Sequence, residues 1–379
     1  VFERWRTHHP DDTVLTVVTA SGGGIRAAGW TAEVLTRLDE ASDGAFGRSL
    51  LLISSVSGGS VGAMYYVDRY GEGEGARTHI RRESTRSSLY GTAWGLVYGD
   101  VWRWLPFGGN RDRGRALERI WAQRLATDST TIWDWWRDDN AWRPFHIHNA
   151  TIAETGDRML LAAVDSVGDA NTFSGLYPEN DLRVATAARL SATFPYVSPL
   201  ARPRVRKGVP APTAYRLGDG GYFDNHGVAT AIDVLNDVLD SNRGIKHVLF
   251  VQVRSSVAEE REAEIHSGGT YALLGPILTL LRMRSAAQLD RNASQLEQLR
   301  ALWNETDPAI QITPVGFVFE EELSLSWHLS KSEIQAFEGA WTRSKENQAA
   351  CRFVLKMLNA TASDGPETDP AVAEDRCSA

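Results

Sequence analysis

The first sixty residues contain two short apolar runs, each closed by a glycine-rich turn and followed by a segment with helical spacing of apolar residues. Val14–Thr19 leads into the Ser-Gly-Gly-Gly turn at 21–24, and Leu50–Ser54 leads into Ser-Gly-Gly-Ser at 57–60. Strands that alternate with helices form a mainly parallel sheet, because each return helix packs on a face of that sheet. The sequence therefore predicts an α/β fold of three layers, α/β/α, around a mainly parallel central sheet.

Composition narrows the class of protein. With 379 residues, 42% of them hydrophobic, the chain can bury a large core, which excludes disordered and fibrous classes. The formal net charge of −8 argues against a nucleic-acid-binding protein, which normally carries a surplus of basic residues. No apolar stretch approaches the ~20 residues that span a bilayer, and the longest candidate, Tyr271–Leu281, contains Gly275 and Pro276.

The two cysteines, Cys351 and Cys377, are too few for a disulfide framework, and no cysteine or histidine cluster has the spacing of a zinc site. We therefore expect a reducing compartment, either the cytoplasm or the cytoplasmic face of a membrane. Because the chain begins at Val1 rather than Met, we interpret it as a processed or excised piece, whose upstream part could carry a membrane segment.

Three regions differ from the alternating strands and helices. Residues 85–142 hold eight of the 13 tryptophans and predict a tryptophan-rich helical insertion. Residues 265–305 predict a second helical insertion, and 361–379, acidic and poor in apolar residues, predict a disordered tail. The remainder of 1–360 is expected to form one domain. The tryptophan-rich insertion is a candidate membrane-facing surface, although for most of its tryptophans we favour packing in the core.

Ser57 lies in the segment Ser-Val-Ser-Gly-Gly at 55–59, between a predicted strand and a predicted helix. This is the pattern of a nucleophile elbow, with Ser55 in place of the first glycine. Small neighbours suit such a turn because it is strained and packs tightly, and the helix that begins at Gly58 directs its positive end at Ser57. The alternative is a helix N-cap serine, which is common, and the motif by itself favours neither reading.

Gly22, Gly23 and Gly24 present backbone N–H groups that no side chain obstructs, as an oxyanion hole requires. The same segment also fits a dinucleotide-binding fingerprint through Gly22, Gly24 and Ala27. That fingerprint requires an acidic residue at the end of the following strand, and the stretch at 53–57, Ile-Ser-Ser-Val-Ser, has none. We therefore favour the oxyanion hole.

Asp219 follows a third predicted strand, in Gly-Asp-Gly-Gly at 218–221, where a base could face Ser57. An Asp-Gly pair alone is usually only a turn. A catalytic triad would also need a histidine, for which His226 and His328 are the candidates. Neither has a position that indicates catalysis, so we interpret both as structural and consider aspartate as the direct base of the serine.

Taken in order, three segments resemble the patatin-like phospholipase family: Ser-Gly-Gly-Gly-Ile-Arg-Ala at 21–27, Ser-Val-Ser-Gly-Gly-Ser at 55–60 and Asp-Gly-Gly at 219–221. The first of them is similar to the form found in the cytosolic group IV phospholipases, which share the same serine–aspartate dyad. Weaker family-like stretches at 149–151, 187–195 and 325–330 extend the resemblance over residues 12–358. The resemblance implies a patatin-like version of the three-layer fold.

The resemblance also implies a role for each matching residue. Ser57 would be the nucleophile and Asp219 its general base, and the glycine loop, Gly22, Gly23 and Gly24, would hold the oxyanion. Arg26 matches a basic position that assists with the substrate phosphate in the group IV relatives, with a salt-bridged structural arginine as the alternative. Gly58 would lie against the substrate beside the nucleophile. No metal or other cofactor is implied.

Four departures from the family pattern bear on these roles. They are Ser21 for the patatin Asp, Ala27 for its final Gly, Ser55 for the elbow Gly, and Asn-His-Gly at 225–227 where Asn-x-Pro is common. Ser55 is the change most able to distort the elbow, but because its side chain is small we expect activity to survive.

These features predict a serine lipid acyl hydrolase of phospholipase A or lysophospholipase type, acting on a phospholipid or another acyl lipid at a membrane surface. An acyltransferase, or an esterase for water-soluble esters, on the same fold is the nearest alternative. A catalytically silent, membrane-associated scaffold is an alternative from a different class.

Overall fold

The computed structural model of the chain describes residues 1–10, 12–88, 113–137, 142–193, 200, 215–241, 244–255, 269–306, 310–321, 327–359 and 376–378. At residues 113, 241 and 269–286 it describes the backbone alone. The helices are α1 (Phe2–His8), α2 (Gly24–Ala41), α3 (Ala45–Ser49), α4 (Gly58–Asp68), α5 (Glu74–Thr85), α6 (Arg113–Ala122), α7 (Ile132–Arg137), α8 (Phe173–Leu176), α9 (Val184–Ser191), α10 (Val228–Ser241), α11 (Gly269–Asn304), α12 (Lys331–Arg343) and α13 (Lys345–Asn359).

A mainly parallel sheet of eight strands runs through the described part of the chain. The strands are β1 (Val14–Ala20), β2 (Leu50–Val56), β3 (Phe145–Ile152), β4 (Arg158–Leu161), β5 (Asn171–Thr172), β6 (Leu217–Asp219), β7 (His247–Arg254) and β8 (Gln311–Val318). Their order is β5-β4-β3-β2-β1-β7-β8, with β6 paired to β3. Strands β3, β2, β1, β7 and β8 are parallel, whereas β4 and β6 are antiparallel to β3.

Helices cover both faces of this sheet. Consecutive residues of a strand point to opposite faces. Ser54 donates to the carbonyl oxygen of Gly227, just before α10, whereas the neighbouring Ser55 contacts Ser60 of α4. Strands β1 and β2 are buried along their whole length, which explains why the sequence shows continuous apolar runs there rather than alternation. The predicted three-layer α/β/α fold with a mainly parallel central sheet is confirmed.

The predicted insertions are only partly described. Between 85 and 142, the structure describes 85–88, 113–137 and 142, and this part contains α6 and α7. Trp121 on α6 is buried and packs against Trp327, with 4.8 Å between the ring centroids, so this tryptophan belongs to the core. Most of the second predicted insertion, 265–305, is the long helix α11. The division into a domain and two insertions stays a prediction.

A disulfide bond joins Cys351 on α13 to Cys377, whose Cα atoms lie 6.0 Å apart. Both cysteines are buried, so the end of the chain at 376–378 packs against the fold. The predicted disordered tail over 361–379 is therefore wrong for these three residues, and 361–375 and 379 lie outside the described residues. Disulfide bonds are rare in the cytosol, so the cysteines no longer support the reducing compartment that we expected from their number.

Membrane-spanning helices are absent from the part of the chain that the structure describes, since none of its helices is both long and apolar enough to cross a bilayer.

Candidate active site

Strand β3 brings the two predicted catalytic residues together. Asn149 on β3 pairs with Val56, the last residue of β2, and the next residue, Ala150, pairs with Asp219 at the end of β6. Because β4 occupies the other side of β3, β6 continues the line of β2 along the same side. Ser57, which follows Val56, and Asp219 therefore meet, and the Oγ of Ser57 donates a hydrogen bond to Oδ2 of Asp219 at 2.7 Å.

The backbone of Ser57 has the strained geometry of an elbow. Its φ of 51° and ψ of −120° place a residue with a side chain in a region that normally favours glycine. Ser57 is the N-cap of α4, yet its side chain makes no capping hydrogen bond and donates to Asp219 instead. This geometry distinguishes the two readings of the motif, because a capping serine would accept from the backbone of its own helix.

Gly58 lets the elbow and the glycine loop approach each other closely. A Cβ at this position would collide with the carbonyl oxygen of Gly24. Helices α2 and α4 thus begin side by side, and the two glycine-rich turns are in contact at Gly58 and Gly24. The predicted contact of Gly58 with substrate stays a prediction.

Asp219 is buried, with 4% of its surface exposed. Its Oδ1 accepts a hydrogen bond from the backbone N–H of Gly221 at 2.9 Å, and its Oδ2 accepts from Ser57. Burial raises the pKa of Asp219 to about 6, and the hydrogen bonds from Ser57 and Gly221 oppose that rise. The carboxylate is therefore ionised at neutral pH but binds a proton more readily than an exposed aspartate.

The glycine loop at 22–24 offers two backbone donors rather than three. The N–H of Gly22 donates to the carbonyl oxygen of Asn225 at 2.9 Å, so the predicted oxyanion contact of Gly22 is wrong. In the part of the chain that the structure describes, the N–H groups of Gly23 and Gly24 have no acceptor. Both residues have positive φ, 145° and 62°, which glycine adopts without strain. They also begin α2, whose positive end favours a negative charge at this point.

Arg26 lies close to this loop. Its Nη2 is 3.5 Å from the position that a Cβ on Gly23 would occupy. A cation therefore lies beside the two backbone donors, while its assignment to a substrate phosphate stays a prediction.

Neither candidate histidine, His226 or His328, hydrogen-bonds to Ser57 or Asp219 in the part of the chain that the structure describes. Among the described residues, no imidazole nitrogen hydrogen-bonds to Ser57 or Asp219. His226 is buried and neither of its ring nitrogens has a partner in that part of the chain, and His328 is exposed. Ser57 and Asp219 thus contact each other without a histidine between them, and their catalytic roles stay a prediction.

Two residues to which we assigned no role from the sequence, Ser191 and Asn149, hydrogen-bond to the backbone of the elbow. The backbone N–H of Ser57 donates to the Oγ of Ser191 at 3.0 Å, and that hydroxyl donates to the carbonyl oxygen of Asn149 at 2.5 Å. Asn149 also donates to the carbonyl oxygen of Ser55 at 2.9 Å. Asn149 and Ser191 lie in the stretches 149–151 and 187–195, which contributed to the family resemblance. No local sequence pattern indicated which groups they contact.

Metal ligands do not converge in the described residues, where no three His, Cys, Asp or Glu side chains are grouped to hold an ion.

Comparison with solved structures finds similar chains. No family model matches the chain and no curated protein matches it. The crystal structure of VipD from Legionella pneumophila is similar with a TM-score of 0.44 and 11% identity, over 92% of this chain and 67% of that one. A likeness at this level does not bear on the assignment of the site.

Proposed function

We propose that this chain is a serine lipid acyl hydrolase of phospholipase A or lysophospholipase type. The observation that carries the proposal is the 2.7 Å hydrogen bond from Ser57 to Asp219, beside the two backbone N–H groups of Gly23 and Gly24. Acyl transfer requires a nucleophile, a base within hydrogen-bond reach and donors for an oxyanion. These residues supply all three.

The first half of the reaction acylates Ser57. Asp219 accepts the hydroxyl proton while Oγ attacks the ester carbonyl carbon, and the electron pair of the carbonyl bond moves onto its oxygen. The N–H groups of Gly23 and Gly24 and the positive end of α2 stabilise this oxyanion; one such donor typically contributes ~3 kcal/mol. The intermediate collapses, the C–O bond to the alcohol breaks, and the departing alcohol takes the proton from Asp219.

The second half releases the acyl group. Asp219 removes a proton from a water molecule, whose oxygen attacks the acyl carbon and forms a second oxyanion in the same place. Collapse breaks the bond to Ser57, which regains the proton, and a fatty acid leaves. Since the pKa of Asp219 is about 6, it exchanges a proton readily in both directions near neutral pH.

The choice of a lipid substrate is supported by the resemblance of the three motifs to patatin-like and group IV phospholipases. The position of Arg26 beside Gly23 agrees with it, because a guanidinium there is suited to a phosphate close to the reacting ester. A water-soluble ester or a transfer to another alcohol would use the same dyad, so the substrate and the acceptor must be tested separately.

The test begins with a fluorophosphonate probe, which labels an activated serine irrespective of substrate. We expect the wild type to be labelled and Ser57→Ala and Asp219→Asn to remain unlabelled. Fatty acid release is then measured from phosphatidylcholine vesicles, lysophosphatidylcholine micelles and a short-chain p-nitrophenyl ester. Folded wild type without labelling would contradict the proposal and favour a silent scaffold. Labelling with cleavage of the short ester alone would indicate a soluble-ester esterase, and acyl transfer to an added alcohol an acyltransferase.

A further inference from the structure

A continuous chain of hydroxyl groups runs from the backbone of Ser57 to a buried histidine. Ser57 N–H contacts the Oγ of Ser191 at 3.0 Å, and Ser191 contacts Ser60 at 3.0 Å. Ser60 contacts Ser55 at 2.9 Å, and Ser55 contacts Nε2 of His146 at 2.7 Å. All four side chains of this serine–histidine chain are buried. The serine–histidine chain connects α4, α9, β2 and β3 next to Ser57.

The number of protons available sets the direction of the bond between Ser60 and Ser191. Ser191 has one hydroxyl proton and donates it to the carbonyl oxygen of Asn149, so Ser60 must donate to Ser191. The single hydroxyl proton of Ser55 faces three acceptors: the Oγ of Ser60 at 2.9 Å, the carbonyl oxygen of Ile147 at 3.2 Å and Nε2 of His146 at 2.7 Å. Burial lowers the pKa of His146 well below its ordinary value, so the imidazole ring is neutral.

Ser55 is the residue on which this chain depends. It occupies the position where the nucleophile-elbow pattern has glycine, and a glycine there has no hydroxyl to connect Ser60 with His146. The departure from the family pattern therefore adds a hydrogen-bonded link between β3 and the elbow. Nδ1 of His146 has no partner among the described residues, so His146 is the end of the chain there.

We propose that Ser55, Ser60, Ser191 and His146 are positioning residues that hold Ser57 in its reactive conformation; this inference rests on the function proposed above. Ser57 has a positive φ, which is strained for a residue with a side chain, and its hydroxyl makes no capping hydrogen bond to α4. The bond from its N–H to Ser191 opposes relaxation of that strain, and the rest of the chain orients the Ser191 hydroxyl. Rotation of Ser57 out of this geometry would break the hydrogen bond to Asp219.

The test compares Ser55→Gly and Ser191→Ala with Ser84→Ala. Ser84 is a buried serine on α5 whose hydroxyl has no partner among the described residues, so this control removes a buried hydroxyl without breaking a bond among them. We expect kcat and the fluorophosphonate labelling rate to fall about 10-fold in Ser55→Gly, which corresponds to ~1.4 kcal/mol, with KM unchanged. Ser84→Ala should match the wild type in all three quantities.

A double variant tests whether the residues act as one unit. If they do, Ser55→Gly combined with Ser191→Ala should be no slower than the slower single variant. Effects that multiply, or a Ser55→Gly variant with wild-type kcat, would overturn the inference while leaving the proposed function intact. A wild type that the probe does not label would overturn both. Melting temperatures of all variants separate lost reactivity from lost folding.

Discussion

The hydroxyl of Ser57 donates to Oδ2 of Asp219 across 2.7 Å, although 162 positions separate the two residues in the chain. Neighbouring residues of β3 hold both in place, since Asn149 pairs with Val56 and Ala150 pairs with Asp219. The geometry of the dyad is therefore a property of the sheet rather than of a flexible loop.

The pH dependence of activity should follow Asp219. Its pKa of about 6 means that the carboxylate is lost as the pH falls through 6, and a protonated aspartic acid cannot accept the proton of Ser57. We expect kcat/KM for a soluble ester to be constant above pH 7 and to fall about tenfold per pH unit below 6. A midpoint near 7, together with substantial turnover by Asp219→Asn, would point to a histidine base instead.

Asp219→Asn should abolish turnover and yet stabilise the fold at alkaline pH. Burial raises the pKa of Asp219 from 3.8 to about 6, so its contribution to stability is present below 3.8 and is lost as the pH rises through 6. Because asparagine does not ionise, the variant buries no charge at pH 8. Its free energy of unfolding at that pH should therefore exceed that of the wild type by up to ~3 kcal/mol. Urea unfolding of both proteins at pH 8 and pH 4.5 measures the effect. A difference between variant and wild type that is the same at both pH values would contradict this explanation.

His148 should make the protein sensitive to acid. Burial lowers its pKa from 6.5 to about 3, so the unfolded chain binds a proton below pH 6.5 that the folded chain does not. Stability therefore falls by ~1.4 kcal/mol per pH unit from 6.5 down to about 3 because of this residue alone. Its ring nitrogens have no partner among the described residues, so His148→Leu breaks no hydrogen bond there. The variant should lose that part of the pH slope between pH 6 and 4 in urea unfolding, and an unchanged slope would show that His148 is already protonated in the folded state.

Gly58→Ala should disrupt both turns of the site. Its Cβ would overlap the carbonyl oxygen of Gly24, backbone that cannot move without displacing the glycine loop. We expect a loss of about 3 kcal/mol or more in the free energy of unfolding, together with lost labelling by the probe.

Gly75→Ala is the matched control for Gly58→Ala. Gly75 lies in α5 and a Cβ there has no atom within 4 Å, so alanine should raise stability by ~0.5 to 1 kcal/mol. Equal effects of the two substitutions would show that close contact between the turns is not required.

Reduction of the disulfide bond should destabilise the protein without changing the chemistry of the dyad. Cys351 and Cys377 are 26 positions apart, and closing a loop of that length stabilises a fold by about 3 kcal/mol. A reducing agent should lower the melting temperature of the wild type. It should have no effect on the Cys351→Ala/Cys377→Ala double variant, and a wild-type melting temperature that does not respond would indicate that the bond is absent in solution.

Several features of the site could be predicted because they depend on neighbouring residues. An apolar run, a glycine-rich turn and a helical pattern placed Ser57 between a strand and a helix, and the structure has it there. The same reasoning placed Asp219 directly after a short strand, and in the structure it is the last residue of β6. The carboxyl ends of parallel strands lie on one edge of a sheet, so the expectation that these residues meet followed from the fold class.

Other features depended on partners far away in the chain. Gly22 and Gly23 look alike in sequence, but only Gly22 donates to the carbonyl oxygen of Asn225, which removes it from the candidate oxyanion hole. Similarly, nothing near Ser55 indicates that its hydroxyl reaches His146. Which groups are paired depends on segments brought side by side by strand pairing.

The sequence by itself determined the alternation of strands and helices and the positions of the tight turns, because backbone preferences and apolar periodicity act over a few residues. Only the tertiary structure decided which amides stay available, which serines connect to one another, and that Cys377 packs on α13. The physical reason is that hydrogen bonds and covalent links form between atoms that are close in space. In this protein β3 and the packing of α13 bring those atoms together from positions far apart in the chain.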